Sequence, residues 1–564
     1  MTKTRLAATL SLALIVAPVS QAARYRVVEL PVTDEGQSSF PSAIGEDGNI
    51  TVNVRGAFNV PIDLDLLDFD SDSLINALTD IESARTGNFN SADYEILLAL
   101  IRSADGTQSS QQIANTVSYL ASENETSYIP GFDQLSDQNN EFTFNSSTVV
   151  RDINDLGFSV GTGEGYYSKL NYTFEGGQNV NFVLHEFGTR AFVSLGNTVV
   201  GLPAPETMAG GVSEAYAINE SNQVIGYGST LIISDTLETS LTDCEDDELR
   251  GDVPFESCIN STVSSFTASA ASFAQLRGLI WQLDEQGNLL ETKELGILFE
   301  PDADDIANYS SQALAINDNG IAVGVSNGQY TENDVTVARN FAVIFDQDEI
   351  INITPEPDSN VARSSNTISS AADINNDNLV VGYQVKSVNG TNRRKFFVYD
   401  MLLDEITFPN DFFLGSSSNA LDINNNGMVV GYGEVDASIT GRRNEGFLYD
   451  IAAEQFYGMR ELISCDSPYT IVQANSINDQ NEIAATARYQ GAARDSRGEV
   501  LLDSAGVEIQ VDLVTAVKLE LIPGGEIDNC DPIVDKINRE RQGASVVWML
   551  GFGLVLLGWR RFKN

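Results

Sequence analysis

A short pattern of apolar and polar positions recurs along most of the chain. Its clearest copy, ALDINNNGMVVG from Ala420, places apolar residues on both sides of a run of asparagine and glycine. Asn and Gly accept the positive φ that primed hairpin turns need, so the pattern predicts two short strands joined by a tight turn. We therefore interpret these asparagines as turn formers and not as ligands.

Seven copies of this hairpin are present. Their isoleucines stand at Ile44, Ile153, Ile218, Ile316, Ile374, Ile423 and Ile477. Five copies are followed by a second apolar run, which is RAFVSL from Arg190, RGLIWQLD from Arg277, RNFAVIFD from Arg339, RKFFVYD from Arg394 and EGFLYD from Glu445. Two hairpins supply four strands, the content of one propeller blade.

The sequence therefore predicts an all-β fold, a β-propeller of seven four-stranded blades over residues 23–525. In a closed ring the first strand completes the last blade. We expect residues 24–30 to pair with residues 513–521.

Two insertions interrupt the repeats. Residues 58–140 carry apolar residues at helical intervals and predict a helical insertion, including a group at Ile113, Val117 and Leu120. Within it, Asp68, Asp70 and Asp72 resemble the start of a calcium loop, although Ser73 replaces the expected glycine and Thr79 the final Glu. The alternatives are a Ca²⁺ site and a solvated acidic helix start.

The second insertion, residues 229–275, is predicted to be an acidic loop tied by a disulfide. It contains Cys244 and Cys258, and the other cysteines are Cys465 and Cys530. In an exported chain four cysteines predict two bridges. Three connectivities are possible, and the local one pairs Cys244 with Cys258 and Cys465 with Cys530.

Both ends of the chain predict export and membrane anchoring. Residues 1–22 have two basic residues, an apolar core and small residues before the cleavage point, which is typical of a signal peptide. Residues 526–542 predict a polar stalk, residues 543–559 a transmembrane helix, and residues 560–564 a basic cytoplasmic end.

The repeats resemble the HAF family of extracellular repeats, whose pattern is Ala-x-x-Ile-Asn-x-x-Gly-x-x-Val-Gly. The C-terminal segment is similar to GlyGly-CTERM sorting signals, with Gln542-Gly543-Ala544-Ser545 in place of consecutive glycines. That resemblance implies cleavage by a sorting protease and display on the cell surface. Together the two features resemble uncharacterised, acidic surface proteins of marine Gram-negative bacteria.

Charge and composition narrow the chemistry. The formal net charge is −48, from 80 acidic and 32 basic residues, which argues against nucleic acid as a partner. His185 is the single histidine, so a Ser-His-Asp triad or a site of several histidines is not expected.

We therefore expect a membrane-anchored or surface-displayed protein that binds an extracellular glycan or protein without catalysis. No cofactor is expected apart from the Ca²⁺ considered above. One alternative is a carboxylate-dependent glycan hydrolase or lyase, and another is a Ca²⁺-dependent adhesin. Any functional site is expected in the insertions and not in the repeats.

Overall fold

The computed structural model describes residues 24–525 and Ile527, except 105–106, 137–139, 303–306, 438–440 and 526. The predicted signal peptide, transmembrane segment and basic end lie outside the described residues, as does the predicted stalk apart from Ile527. In the described part of the chain, no helix is long and apolar enough to cross a membrane.

The described chain is mostly β and forms seven antiparallel four-stranded sheets. The first strand, β1 (Arg24–Glu29), belongs to the last sheet. Sheet 1 contains β2 (Gly36–Ile44), β3 (Ile50–Ala57), β4 (Thr116–Ala121) and β5 (Thr126–Ile129). Sheet 2 contains β6 (Thr148–Ile153), β7 (Ser159–Glu164), β10 (Thr189–Leu195) and β11 (Thr198–Leu202), with a separate hairpin, β8 (Tyr167–Thr173) and β9 (Asn179–His185), between its second and third strands.

The next two sheets follow the same order. Sheet 3 contains β12 (Ser213–Ile218), β13 (Gln223–Ile232), β14 (Ala274–Leu283) and β15 (Leu289–Glu294). Sheet 4 contains β16 (Ser311–Ile316), β17 (Ala322–Glu332), β18 (Val335–Asp346) and β19 (Glu349–Asn352).

The last three sheets complete the set. Sheet 5 contains β20 (Ser369–Ile374), β21 (Leu379–Val388), β22 (Thr391–Asp400) and β23 (Glu405–Thr407). Sheet 6 contains β24 (Ser418–Ile423), β25 (Met428–Glu434), β26 (Asn444–Asp450) and β27 (Gln455–Gly458). Sheet 7 contains β28 (Thr470–Ile477), β29 (Ile483–Ala492) and β30 (Gln510–Ile522), and β1 is its outer strand.

The first strands of the sheets contact one another in cyclic order. Contacts run from β2 to β6, β12, β16, β20, β24 and β28, and β28 contacts β2 again. The predicted closing pair is confirmed, since Tyr25 pairs with Leu521 and Val27 with Leu519 in antiparallel register. Buried apolar residues of neighbouring sheets share their clusters, so the core lies between the sheets.

The chain connects its strands at two opposite ends of the sheets. At the turn end, short turns join the first and second strands of each sheet, at residues 45–49, 154–158, 219–222, 317–321, 375–378, 424–427 and 478–482. At the hairpin end, connections of very different length join the second and third strands, from residues 333–334 and 389–390 to residues 58–115. The insertions therefore all lie at the hairpin end.

The first insertion is shorter than predicted. Helices α1 (Asp72–Ala77), α2 (Ile81–Ala84) and α3 (Ser91–Ser103) occupy its centre, but residues 116–121 and 126–129 are strands β4 and β5. The prediction of helix through residue 140 was wrong because residues 116–121 form a strand that is buried on both faces except at Leu120. Periodicity does not distinguish a short buried strand of this kind from a helical segment.

The second insertion is helical and not the loop that was predicted. It folds as α4 (Asp235–Glu245), α5 (Asp247–Arg250), α6 (Phe255–Ala268) and α7 (Ala270–Phe273). Leu237, Val263 and Phe266 are buried at its centre. The many Ser and Thr residues between them concealed this apolar face. Two further short helices are α8 (Ser359–Ser364) and α9 (Met459–Leu462).

Polar contacts link neighbouring insertions into one cap over sheets 7, 1, 2 and 3. Glu95 of the first insertion accepts a hydrogen bond at 2.9 Å from the backbone N–H of Ser496. Gln108 donates to Ser261 of the second insertion at 2.8 Å, and Tyr172 of the β8–β9 hairpin donates to Asp252 at 2.9 Å. Over sheets 5 and 6 the connections are short, so the hairpin end is uncapped there.

Candidate functional site

The repeated asparagine joins each turn to the next sheet. Asn424 is buried, and its Oδ1 accepts the N–H groups of Asn426 and Met428 at 3.1 and 2.9 Å. Its Nδ2 donates to the backbone oxygen of Asn478, in the neighbouring turn, at 2.8 Å. Equivalent links run from Asn154 to Asn219, Asn219 to Asn317, Asn317 to Asn375, Asn375 to Asn424 and Asn478 to Gly45.

The turn geometry refines the sequence prediction. Each turn has one residue with positive φ, as predicted, and these are Gly48, Gly157, Asn222, Gly320, Asn378, Gly427 and Asn481. Gly427 N–H donates to Asn424 O, and Asn424 N–H donates to Met428 O. These are three-residue hairpin loops with one left-handed residue, not the primed turns that were expected.

The second residue of the turn forms a second set of links, across six of the seven seams between sheets. A side-chain oxygen there accepts the backbone N–H of the preceding turn, for example Asp479 from Asn425 at 2.8 Å. The acceptors are Glu46, Glu220, Asp318, Asn376, Asn425 and Asp479. Burial and the neighbouring carboxylates raise the pKa of Glu46 and of Glu220. The turn end is therefore acidic.

Every first strand has a bulge, and in four sheets the bulge residue accepts a backbone N–H of the next sheet. The register shifts between Ala420 and Asp422, and at the matching position of the other six sheets. Asp422 then accepts the N–H of Ile477 at 2.9 Å, and Asp373 accepts that of Ile423 at 2.8 Å. The closing glycine of the repeat is needed beside this bulge, because a Cβ at Gly431 would lie 2.0 Å from a carbonyl oxygen.

Three of the bulge residues, Asp152, Asp373 and Asp422, are half-buried carboxylates. Burial raises the pKa of Asp152 to about 7, with a smaller contribution from Asp422. Burial also raises the pKa of Asp373 well above its usual range, and the adjacent Asp422 raises it further.

A groove opens at the hairpin end between sheets 5 and 6. Its volume is about 540 Å³. It is lined by the tyrosines Tyr383 and Tyr432, the amides Asn366, Asn392, Asn419 and Asn444, the charged Arg394 and Glu434, and small residues including Ser365, Thr367 and Ser417. A second groove of about 410 Å³ lies between sheets 7 and 1 and includes Tyr489 and Arg494.

The polar groups of the sheet 5–6 groove differ in how they are held. Glu434 is fixed by the Arg442 guanidinium and by the N–H of Ser417. Asn419 is only 6% exposed, yet its amide has no hydrogen-bond partner among the described residues. Burial raises the pKa of Tyr383, and nearby Arg394 opposes that rise.

The aspartates of the predicted calcium site have separate contacts. Asp70 pairs with Arg85 at 2.6 Å, Asp68 accepts the N–H of Asp70, and Asp72 begins α1. Within the described ranges, no three His, Cys, Asp or Glu side chains are arranged to hold a metal ion. Calcium binding at Asp68, Asp70 and Asp72 stays a prediction from the sequence.

The described cysteines form disulfides, and the histidine makes a hydrogen bond within the fold. Cys244 and Cys258 form the predicted disulfide between α4 and α6. Cys465 is disulfide-bonded, and its predicted partner Cys530 lies outside the described residues. His185 Nδ1 donates to Gly165 O at 2.6 Å, and burial lowers the pKa of the ring.

Sequence reasoning missed the groove residues. Tyr383 and Tyr432 directly follow the closing glycine of their repeats, and Tyr227 stands at the same position in sheet 3. A tyrosine recurring at one repeat position, on a strand whose other face is buried, was the available signal. It was overlooked because the repeats were interpreted as scaffold alone.

The solved structures that resemble this chain do so weakly. A puromycin hydrolase mutant complexed with PGG matches at TM-score 0.33 and 7% identity, over 84% of this chain and 52% of that one. An acylaminoacyl peptidase from Pyrococcus horikoshii matches at 0.28 and 10%, over 70% and 50%. A protein of unknown function from Dyadobacter fermentans matches at 0.29 and 10%, over 90% and 100%.

This chain spans about half the length of the two hydrolases. At such TM-scores these similarities support no conclusion about fold or activity. No match to a curated protein is found. The family model described as "Protein of unknown function (DUF3466)" matches residues 3–562, and the chain belongs to that family.

Proposed function

We propose that the chain is a seven-bladed β-propeller that binds an extracellular glycan, without catalysis, in the groove between sheets 5 and 6. The cyclic contacts of the first strands and the β1–β30 pair support the propeller. The position of the groove at the uncapped part of the hairpin end supports access by a large ligand.

One observation carries the binding proposal, namely that unpartnered polar groups converge beside two aromatic rings. The hydroxyls of Tyr383 and Tyr432 and the amide of Asn419 all line the groove, and none has a hydrogen-bond partner within the described residues. None of these groups is among the fully buried polar atoms of the described residues, so they are accessible from the groove and available to a ligand. Tyrosine rings with adjacent amides suit a sugar, which offers C–H faces and hydroxyls.

In sheet 3 the tyrosine at the equivalent repeat position has hydrogen-bond partners within the protein. Tyr227 occupies the position of Tyr432, but its hydroxyl donates to Glu214 at 2.8 Å, and Tyr216 donates to the same carboxylate. In sheets 5 and 6 the residues that pair with the tyrosine are Ser370 and Asn419. The tyrosines of the groove therefore lack the internal partner that sheet 3 supplies.

Binding is tested on an array of extracellular polysaccharide fragments, followed by calorimetric titration of those that bind. Tyr432→Ala is expected to lower affinity at least about tenfold, which corresponds to about 1.4 kcal/mol. Tyr227→Ala, at the same repeat position in sheet 3, is expected to leave affinity unchanged. Equal losses in the two variants, or no binding to any fragment by the folded protein, would refute the proposal.

We also propose where the protein is located in the cell. We propose export through residues 1–22, anchoring by residues 543–559, and display at the cell surface after processing by a sorting protease. The HAF-type nature of the repeats and the GlyGly-CTERM-like tail belong to this proposal. The disulfide between Cys244 and Cys258 supports it, because such bridges persist in oxidising compartments.

A second candidate function rests on the bulge carboxylates. Burial and the adjacent Asp422 carboxylate raise the pKa of Asp373, and a carboxylic acid of raised pKa near a second carboxylate is one element of the glycoside hydrolase mechanism. This candidate predicts sugar release from a polysaccharide by the purified protein, abolished by Asp422→Asn. Binding without sugar release would favour the first candidate.

A further inference from the structure

We infer that the glycan of the sheet 5–6 groove is acidic, and that Arg394 binds its anionic substituent. This inference rests on the proposed glycan-binding function and adds the ligand's chemical class. The shared chemistry is a planar or tetrahedral oxyanion on a sugar, either a uronic carboxylate or a sulfate ester.

Basic residues are concentrated beside this groove in an otherwise acidic protein. The whole chain has 32 basic and 80 acidic residues. Six of the basic residues fall in two short segments of sheets 5 and 6 and their hairpin-end connection, namely Lys386, Arg393, Arg394, Lys395, Arg442 and Arg443. Such a local excess attracts an anionic ligand that the rest of the surface repels.

Three of these six basic residues already pair with a carboxylate. Arg442 and, more distantly, Arg393 share one carboxylate, that of Glu434, at the groove wall. Lys395 pairs with buried Asp411 at 2.8 Å.

Arg394 is the groove cation whose donors are free. Its guanidinium lies over the Tyr383 ring at 4.7 Å and has no carboxylate or carbonyl partner in the described part of the chain. Arginines near the start of the third strand in other sheets donate to backbone oxygens instead. Arg190 donates to Gly210, Arg277 to Leu276 and Arg339 to Ala362.

The geometry suits an oxyanion. A guanidinium stacked on an aromatic ring keeps its plane fixed and presents parallel N–H groups, which bind carboxylate or sulfate through two hydrogen bonds. The position that holds the Glu214 carboxylate in sheet 3 is Ser370 in sheet 5 and Asn419 in sheet 6. An acidic sugar therefore meets no opposing carboxylate at that place.

The test compares three short oligosaccharides by calorimetric titration of the folded ectodomain: an oligouronate, its carboxyl-reduced neutral form, and a sulfated oligosaccharide. Wild type is expected to bind one of the two anionic forms at least tenfold more tightly than the neutral form. Arg394→Gln is expected to remove that preference while retaining the affinity for the neutral form. Lys293→Gln, which removes an exposed lysine of sheet 3 that pairs with Asp348, is the matched control and is expected to change nothing.

The outcomes separate the two proposals. If wild type binds the neutral and anionic forms equally, or if Arg394→Gln weakens all of them alike, the glycan site stands and the acidic-ligand inference is wrong. If no oligosaccharide binds although the protein melts cooperatively, the proposed function fails and the inference fails with it. Arg394→Lys is expected to keep part of the preference, because it keeps the charge and loses the two-point contact.

Discussion

At the scale of single residues, the repeated asparagine makes two kinds of stabilising contact. Asn424 stabilises its own turn through Oδ1 and the neighbouring sheet through Nδ2. An ionised Asp can accept at the turn but cannot donate, whereas an amide supplies an acceptor oxygen and a donor nitrogen on separate atoms. This explains why asparagine follows isoleucine in six of the seven repeats, with Gly45 as the exception.

Asn424→Ala is expected to destabilise the protein by about 3 kcal/mol, because it leaves buried N–H groups and a carbonyl without partners. Chemical denaturation measures the change. The control, Asn426→Ala, removes an exposed amide of the same turn that also donates to the neighbouring turn, at Asp479 O, and the loss of this solvent-exposed contact is expected to cost about 1 kcal/mol or less. If the two variants lose the same stability, the inter-sheet role of Asn424 is wrong.

Asp373→Asn tests the bulge carboxylates through pH. Because burial and Asp422 raise the pKa of Asp373, the folded state holds a proton that the unfolded state releases. That contribution is present below the ordinary carboxyl pKa and is lost as pH rises through the raised value. The asparagine variant keeps an acceptor for Ile423 N–H and removes the titration.

We therefore expect Asp373→Asn to unfold at a higher denaturant concentration than wild type at pH 8, with a smaller difference at pH 5. Exposed Asp334→Asn, in the turn between β17 and β18, serves as the control. A stabilisation independent of pH would show that the carboxylate does not titrate as described.

At the scale of elements, the seam between sheets 1 and 2 is built differently from the others. Gly45 has no amide to reach the next turn. Instead, Asn53 of β3 donates to Val150 O at 2.9 Å and accepts Val150 N–H at 3.0 Å, and Ser118 of β4 donates to Thr148 O. Two inner-strand contacts replace the missing turn contact.

Serines at the start of the first strands form a further set of links between sheets. Ser213, Ser311, Ser369 and Ser418 each accept a backbone N–H from the third strand of the preceding sheet, at 3.0, 3.0, 2.8 and 3.3 Å. Each stands two residues before the repeat's alanine. In these sheets the repeat therefore begins at the serine, two residues before the alanine of the sequence pattern.

The strands were predictable from the sequence because each repeat has alternating apolar residues around a turn, and the terminal pair followed from ring closure. The length of the first insertion was not predictable, since Val117 and Leu120 stand at a helical spacing of three residues although both lie on strand β4. The groove was not predictable from the sequence, because Tyr432 and Asn419 come together only through the register of β24 and β25. Sequence spacing does not show that Asn419 lacks a partner.

The pairing of β1 with β30, which completes sheet 7, leads to a prediction about stability. Tyr25 is 3% exposed and packs in the core of sheet 7, almost the whole chain away from its partner Leu521. Tyr25→Ala is expected to cost about 3 kcal/mol or more in unfolding free energy. Arg26→Ala removes the exposed pair with Glu520 and is expected to cost about 1 kcal/mol or less; the reverse order would contradict closure by this strand.

At the scale of the whole molecule, the two ends of the sheets have different roles. At the turn end, side-chain amides and carboxylates link neighbouring turns at six of the seven seams. The hairpin end varies from sheet to sheet, carrying the cap over sheets 7 and 1 to 3 and the open groove over sheets 5 and 6. The central claim is that the turn end holds the sheets together and the hairpin end binds the ligand.

Hydrogen–deuterium exchange of the folded protein, with and without a bound oligosaccharide, tests that claim most directly. We expect added protection at residues 365–367, 383–394, 417–419 and 432–437, and unchanged exchange in the seven turns. Protection concentrated in the turns around Asn375, Asn424 and Asn478, with none at the groove, would contradict the account.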